Sequence, residues 1–172
     1  MKMEENTEML LLEYRNTVRR LLETGSSAII DNASPRHASI ILEEMIRHAK
    51  VSFCAFAGHM NQCVWNMNVM AALESAIRRG VLVQLLVEKN CEPIDNSAIP
   101  HLVGPTVRKC DEKVLEELGK VSHCAIGDGQ SLRIEMDDVK KTAAFTANNP
   151  ELAGRALGIF RFMYSKGDRY AA

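Results

Sequence analysis

Two short apolar segments on either side of a helix-length segment constrain the fold of this chain most. "VSFCAFA" (51–57) and "VLVQLLVE" (81–88) contain too few polar residues for strands with one face in water. Between them, "VWNMNVMAALESAIRRG" (64–80) has apolar residues at helical spacing and ends at Gly80, a typical helix stop. The pattern predicts a βαβ unit whose two parallel strands are buried on both faces.

Signals for further elements flank this unit. We expect one α/β domain over 26–172, preceded by an N-terminal helix over 1–25. Helix starts are marked by residues that can cap a first turn and by proline at the first helical position. The expected elements are a helix over 3–24, a helix from Ser34-Pro35, a short strand at 106–110, a short helix from Asp111, two strands around 127–129, a strand over 142–148 and a helix from Asn149-Pro150.

The N-terminal helix carries an apolar stripe that needs a surface to pack on. Leu11, Tyr14, Val18 and Leu21 recur at three- and four-residue spacing, which places them on one face. They are our candidates for binding a partner, either another protein or a second copy of the chain. The sequence leaves open whether the stripe packs on its own domain instead.

Charge and cysteine content limit the partners and the cellular compartment that we expect for the protein. The formal net charge is −1, from 21 basic and 22 acidic residues, so no overall field attracts nucleic acid or anionic lipid. Aromatic residues make up 5% of the chain, too few for a groove that stacks bases, so we expect contact with nucleic acid only through other subunits. Five cysteines without a C-x-x-C pair and no long apolar run predict a cytoplasmic protein without membrane contact. The five histidines are dispersed, and we expect neither a metal nor a cofactor.

The segment "VSHCAIGDGQSLRIEMDD" (121–138) allows two interpretations. His123, Cys124 and Asp128 are residue types that occur in catalytic sites. Side chains alternate along a strand, however, so neighbouring His123 and Cys124 should point apart. Gly127, Asp128 and Gly129 also offer the positive backbone angles that a tight hairpin requires. We therefore interpret this segment as a hairpin.

The order of elements over about residues 36–165 resembles one half of the phospholipase D superfamily fold. The run Arg78-Arg79-Gly80-Val81 leads into an apolar strand, as a run ending in R-G-V does in that family. The resemblance implies a mixed, mostly parallel sheet flanked by helices. It also implies an H-x-K-x-x-x-x-D motif followed by G-S-x-N. The histidine attacks phosphorus, the lysine and asparagine hold phosphate oxygens, and two copies build one active site.

Neither placement of this motif keeps both the nucleophile and the lysine. Aligning the family's aspartate with Asp128 puts Val121 at the histidine position and His123 at the lysine position. Aligning its histidine with His123 puts Ala125 at the lysine position and Gln130 at the aspartate position. The resemblance thus implies a degenerate member.

Our leading hypothesis is a non-catalytic structural or regulatory subunit of a bacterial multi-protein complex, such as a defence or nucleic-acid-processing system. Two alternatives stay open. One is a phosphodiesterase or nuclease with a dimer-shared site that uses His123, Asp128 and Asn148. The other is a nucleotide or phosphate sensor that uses His59, Asn61 and Arg133 near the ends of strands, where α/β sheets bind ligands.

Overall fold

The computed structural model describes residues 2–58, 60–88, 107–137 and 142–169. Helices and strands alternate along most of this length, as expected of an α/β protein. The elements are α1 (Lys2–Thr24), β1 (Ile29–Asn32), α2 (Pro35–His48), β2 (Ser52–Ala57), α3 (Met67–Arg78), β3 (Leu82–Val87), β4 (Val107–Lys109), α4 (Glu112–Leu118), β5 (Cys124–Gly127), β6 (Ser131–Asp137), β7 (Thr142–Thr146), α5 (Pro150–Lys166) and β8 (Asp168–Arg169). None of the helices in these ranges is long and apolar enough to cross a membrane.

The eight strands within the described ranges form one mixed sheet in the order β1-β7-β6-β5-β2-β3-β4-β8. The βαβ prediction is confirmed, because β2 and β3 pair in parallel. The parallel part is nevertheless smaller than expected: β3 and β4 form the second parallel pair, and the other neighbours are antiparallel. A tight turn joins β5 to β6, and such a turn can connect only antiparallel strands.

Helices cover both faces of β2, as its apolar sequence predicted. Phe53 and Ala55 belong to a core that also contains residues of α1, α2 and α3. Cys54 and Phe56 belong to a second core on the other face, which contains residues of α4 and α5. The alternation of side chains along the strand produces this division.

The apolar stripe of α1 packs on its own domain. Val18 is fully buried, Leu21 belongs to the same core, and Leu11 and Tyr14 pack against that core. These four partner-binding candidates are therefore largely covered within the chain. Ion pairs reinforce the packing: Arg15 lies 2.7 Å from both Glu43 and Glu44 of α2, and Arg19 lies 3.0 Å from Glu44.

The predicted helix caps are confirmed, whereas two strands and one helix start were missed. The side chains of Ser34, Asp111 and Asn149 each accept a backbone hydrogen bond in the first turn of a helix. Strand β1 has only four residues and β8 only two, so neither shows an alternating pattern. Helix α3 begins at Met67 rather than at 64, because Asn66 caps it.

The hairpin interpretation of 121–138 is confirmed for the residues described, which end at 137. Asp128 and Gly129 have positive φ angles of 51° and 66°, and Gln130 N–H donates to the Gly127 carbonyl at 3.0 Å. The Asp128 carboxylate also accepts the backbone N–H groups of Lys50, Val51 and Ser52 at 2.8–2.9 Å. The aspartate thus ties the turn to the start of β2.

We expect Asp128→Ala to lower the free energy of unfolding by about 2 kcal/mol, because three backbone donors lose a charged acceptor. Asp128→Asn is the matched control, since it keeps a side-chain oxygen and tolerates a positive φ. It should retain a large part of the stability. Urea unfolding measures both variants. An alanine variant as stable as the wild type would contradict this role of Asp128.

Candidate functional site

His123 lies between two glutamates at one end of the central strands. It immediately precedes β5, whose first residue, Cys124, pairs with Phe56 of β2. The His123 Nε2 atom is 2.9 Å from Oε1 of Glu88, which follows β3. The Nδ1 atom is 2.9 Å from Oε2 of Glu135 on β6. Both ring nitrogens are therefore hydrogen-bonded to carboxylates.

Gly58 makes room for the imidazole. A Cβ atom on Gly58 would lie 2.5 Å from Cε1 and 2.6 Å from Nε2 of His123, closer than real contacts allow. The Phe56 ring meets the imidazole edge-on, with centroids 5.0 Å apart and an interplanar angle of 65°. Residues at the end of β2 thus fix the position of His123.

This environment favours the protonated imidazole. The hydrogen bond that the ring donates to Glu135 raises the pKa of His123 most, the bond to Glu88 raises it further, and partial burial opposes both. An imidazolium can donate a proton to each carboxylate, whereas neutral imidazole has only one N–H to donate. The protonated ring has no free lone pair with which to attack phosphorus.

A cavity of about 240 Å³ adjoins His123. Glu88, Glu135 and Lys120 line it together with His123, and with His123 protonated their formal charges cancel. The other side chains that line it are mainly apolar: Phe56, Leu115, Val121 and Met136. Phosphoryl transfer requires cations that neutralise developing negative charge. The cavity offers no excess of positive charge for that purpose.

The three residues of the phosphodiesterase alternative are not brought together within one chain. His123 precedes β5, and Asp128 follows the same strand at its other end. Asn148 lies near the Asp128 end, since the neighbouring Asn149 N–H donates to the Gln130 carbonyl. The Asn148 side chain donates to the Gly25 carbonyl at 3.0 Å. The structure thus separates His123 from the other two residues.

The two ligand-binding candidates within the described residues, Asn61 and Arg133, have separate surroundings. His59 lies outside the described residues. The Asn61 side chain accepts the Cys63 N–H at 2.8 Å and so stabilises a turn after β2. Arg133 lies on β6 and has no hydrogen bond to Asn61.

Sequence reasoning missed Glu135 as a partner of His123, although a signal for it existed. The hairpin pairs Gly127 with Ser131 and Cys124 with Ile134. Continuing this register by one residue places Glu135 opposite His123. Glu88 could not be found in this way, because its position depends on the long-range order of β2, β3 and β5.

The Cys124 thiol adjoins this site and is buried. Burial raises the pKa of the Cys124 thiol to about 11, which disfavours the nucleophilic thiolate. In the part of the chain that the structure describes, no group of three or more His, Cys, Asp or Glu residues could hold a metal ion.

The fold resembles solved structures of the phospholipase D family and of a chromatin protein. Nuc from Salmonella typhimurium, a phospholipase D family member, matches with a TM-score of 0.60 at 17% identity, over 84% of this chain and 99% of that one. NucT from Helicobacter pylori matches with a TM-score of 0.58 at 15% identity, over 83% and 100%. TrmBL2, an archaeal chromatin protein described as having a novel mode of DNA binding, matches with a TM-score of 0.66 at 15% identity. That match covers 98% of this chain and 64% of TrmBL2.

These likenesses establish a phospholipase D-like fold, as the order of elements predicted. No family model matches the sequence, and no curated protein matches it significantly. Because this chain spans only 64% of TrmBL2 and identities are at most 17%, the comparisons show the fold alone.

We expect the midpoint of an NMR titration of His123 to lie above the ordinary value of 6.5. A raised pKa means that protonation stabilises the fold. This contribution is complete below about pH 6.5 and is lost as the pH rises through the raised pKa. Chemical denaturation across this pH range, with His123→Gln as the reference, measures the loss.

Two variants separate the causes of this shift. Glu135→Gln removes the largest contribution, and Gly58→Ala displaces the ring. Both should lower the titration midpoint of His123. A wild-type midpoint at or below 6.5 would contradict the protonated arrangement.

Proposed function

We propose that this chain is a non-catalytic phospholipase D-like domain that serves as a structural or regulatory subunit of a bacterial multi-protein assembly acting on nucleic acid. The observation that carries the proposal is the engagement of both His123 ring nitrogens by Glu88 and Glu135. A histidine in this state holds the end of the sheet together and has no free nitrogen for a substrate.

The residues at the family's motif positions support the loss of catalysis. In the register that aligns His123 with the family's nucleophile, Ala125 stands at the lysine position, 1% exposed within the apolar core. In the other register, Val121 takes the place of the nucleophile and lines the cavity. Neither residue can attack phosphorus or neutralise a phosphate.

The similar structures support a connection with nucleic acid. TrmBL2 is described as a DNA-binding chromatin protein, and its match extends over 98% of this chain, compared with 84% for Nuc. The difference is about the length of α1, which has 23 residues. With a net charge of −1, this chain would reach nucleic acid through other subunits of the assembly.

We expect the wild type and His123→Ala to hydrolyse labelled DNA, RNA and a generic phosphodiester at the same background rate. Both ring nitrogens of His123 are engaged by carboxylates, so removing the ring should change nothing in these assays. Turnover by the wild type that His123→Ala abolishes would contradict the non-catalytic proposal and favour a hydrolase.

The start of α1 offers the surface for assembly. Met9, Leu10 and Leu12 are 56–57% exposed, although the rest of the helix packs on the domain. The partner that we propose is a second copy of the chain, because the exposed apolar start of one α1 helix could cover that of another.

We expect wild-type protein to form a dimer that Leu12→Gln weakens, as measured by sedimentation equilibrium. Leu82→Gln is the matched control, because Leu82 and Leu12 have the same 57% exposure but lie on different elements. Deleting α1 would be uninformative, since Val18 and Leu21 belong to the core. A monomeric wild type, or equal weakening by both substitutions, would contradict assembly through α1.

A further inference from the structure

Arg133 and Asn32 lie on the face of the sheet that α1 and α2 cover. Arg133 of β6 pairs with Phe145 of β7, a fully buried residue of the core on this face. Phe145 in turn pairs with Ile30 of β1. Asn32 lies two residues beyond Ile30 and therefore projects from the same face. The two polar side chains thus enter one side of the β1-β7-β6 part of the sheet.

Both side chains contain buried polar atoms without partners. Asn32 is 1% exposed, and neither its amide nitrogen nor its amide oxygen has a hydrogen-bond partner in the described residues. The same holds for Nε of Arg133. No ion pair of Arg133 is found within the described ranges. A partly buried charge without a bonded acceptor and an unsatisfied buried amide each cost stability, and such groups usually have partners.

Helix α1 brings a third polar group to the same place. The Tyr14 hydroxyl donates to the Asp31 carbonyl at 3.1 Å, directly beside Asn32. Burial raises the pKa of the Tyr14 hydroxyl to about 12, and the nearby Arg133 guanidinium opposes this rise. The Tyr14 ring stacks on His37 with centroids 4.0 Å apart. Tyr14 thus lies near both the Asn32 end of β1 and Arg133.

The neighbouring carboxylate is already engaged. Burial lowers the pKa of Arg133 most, and among the charged groups Glu135, two residues away on the same strand, opposes this most. Its Oε2 atom is hydrogen-bonded to His123, however. Ala143 lies between Asn32 and Glu135 in the strand register, so only a methyl group separates these two side chains along that row of the sheet.

We propose that Arg133 and Asn32 form a binding site for an oxyanion, the phosphate or carboxylate group of a small ligand, with Tyr14 beside it. A guanidinium binds two oxygens of such a group through parallel N–H donors. The Asn32 amide supplies a further donor. The site differs from the sensor that the sequence suggested, because Asn32 rather than His59 or Asn61 accompanies Arg133. It does not depend on the assembly proposed above, since all its residues belong to one chain.

The test is thermal unfolding of the full chain in potassium phosphate, potassium acetate and potassium chloride at equal ionic strength. We expect phosphate or acetate to raise the Tm of the wild type above its value in chloride. A higher Tm in phosphate would identify a phosphate as the ligand group, and a higher Tm in acetate would identify a carboxylate. Arg133→Met should lose this gain, and calorimetric titration should show affinity reduced roughly ten- to hundredfold. Arg155→Met is the control for general salt effects, because Arg155 is 72% exposed on α5.

Two further measurements separate ligand binding from a structural role. In chloride, Arg133→Met should be at least as stable as the wild type, because a partly buried guanidinium without a bonded acceptor is replaced by an apolar side chain. Asn32→Asp should raise the Tm in chloride and remove the gain from oxyanions, since its carboxylate supplies the missing counter-charge. No gain of the wild type with either oxyanion, or equal gains in wild type and Arg133→Met, would overturn the proposal.

Discussion

The burial of β2 on both faces is the constraint from which the rest of the structure follows. Phe53 and Ala55 need one apolar layer and Cys54 and Phe56 need another, so helices must cover both sides of the sheet. Polar side chains of the sheet then lie either at the ends of the strands, where they reach water, or beneath a covering helix. His123 occupies the first kind of position and Arg133 the second.

The partly buried cations at these two positions differ in the counter-charges that the chain supplies to them. At His123 the chain supplies its own counter-charges, because Glu88 and Glu135 accept from both ring nitrogens. This arrangement is complete without a ligand, and it is the observation on which our proposal of a non-catalytic phospholipase D-like domain rests. At Arg133 the chain supplies no acceptor within bonding distance among the described residues, so the arrangement is incomplete without one.

Much of the fold, but little of the site, could be predicted from the sequence. The βαβ unit, the helix caps and the Asp128 turn are encoded locally, in apolar runs and in residues with particular backbone preferences. The position of Glu135 could have been predicted, because the turn fixes the register that places it opposite His123. The burial of Asn32 could not have been predicted, because it depends on the pairing of β1 with β7, more than a hundred residues away in the chain.

Helix α1 connects these observations. The Tyr14 hydroxyl of α1 donates to the Asp31 carbonyl beside Asn32. The ion pairs of Arg15 and Arg19 with Glu44 hold the helix on α2. The same helix presents Met9, Leu10 and Leu12 to solvent. A helix that only covered the sheet would favour polar residues at these exposed positions. We therefore assign the exposed apolar start of α1 to the proposed assembly surface.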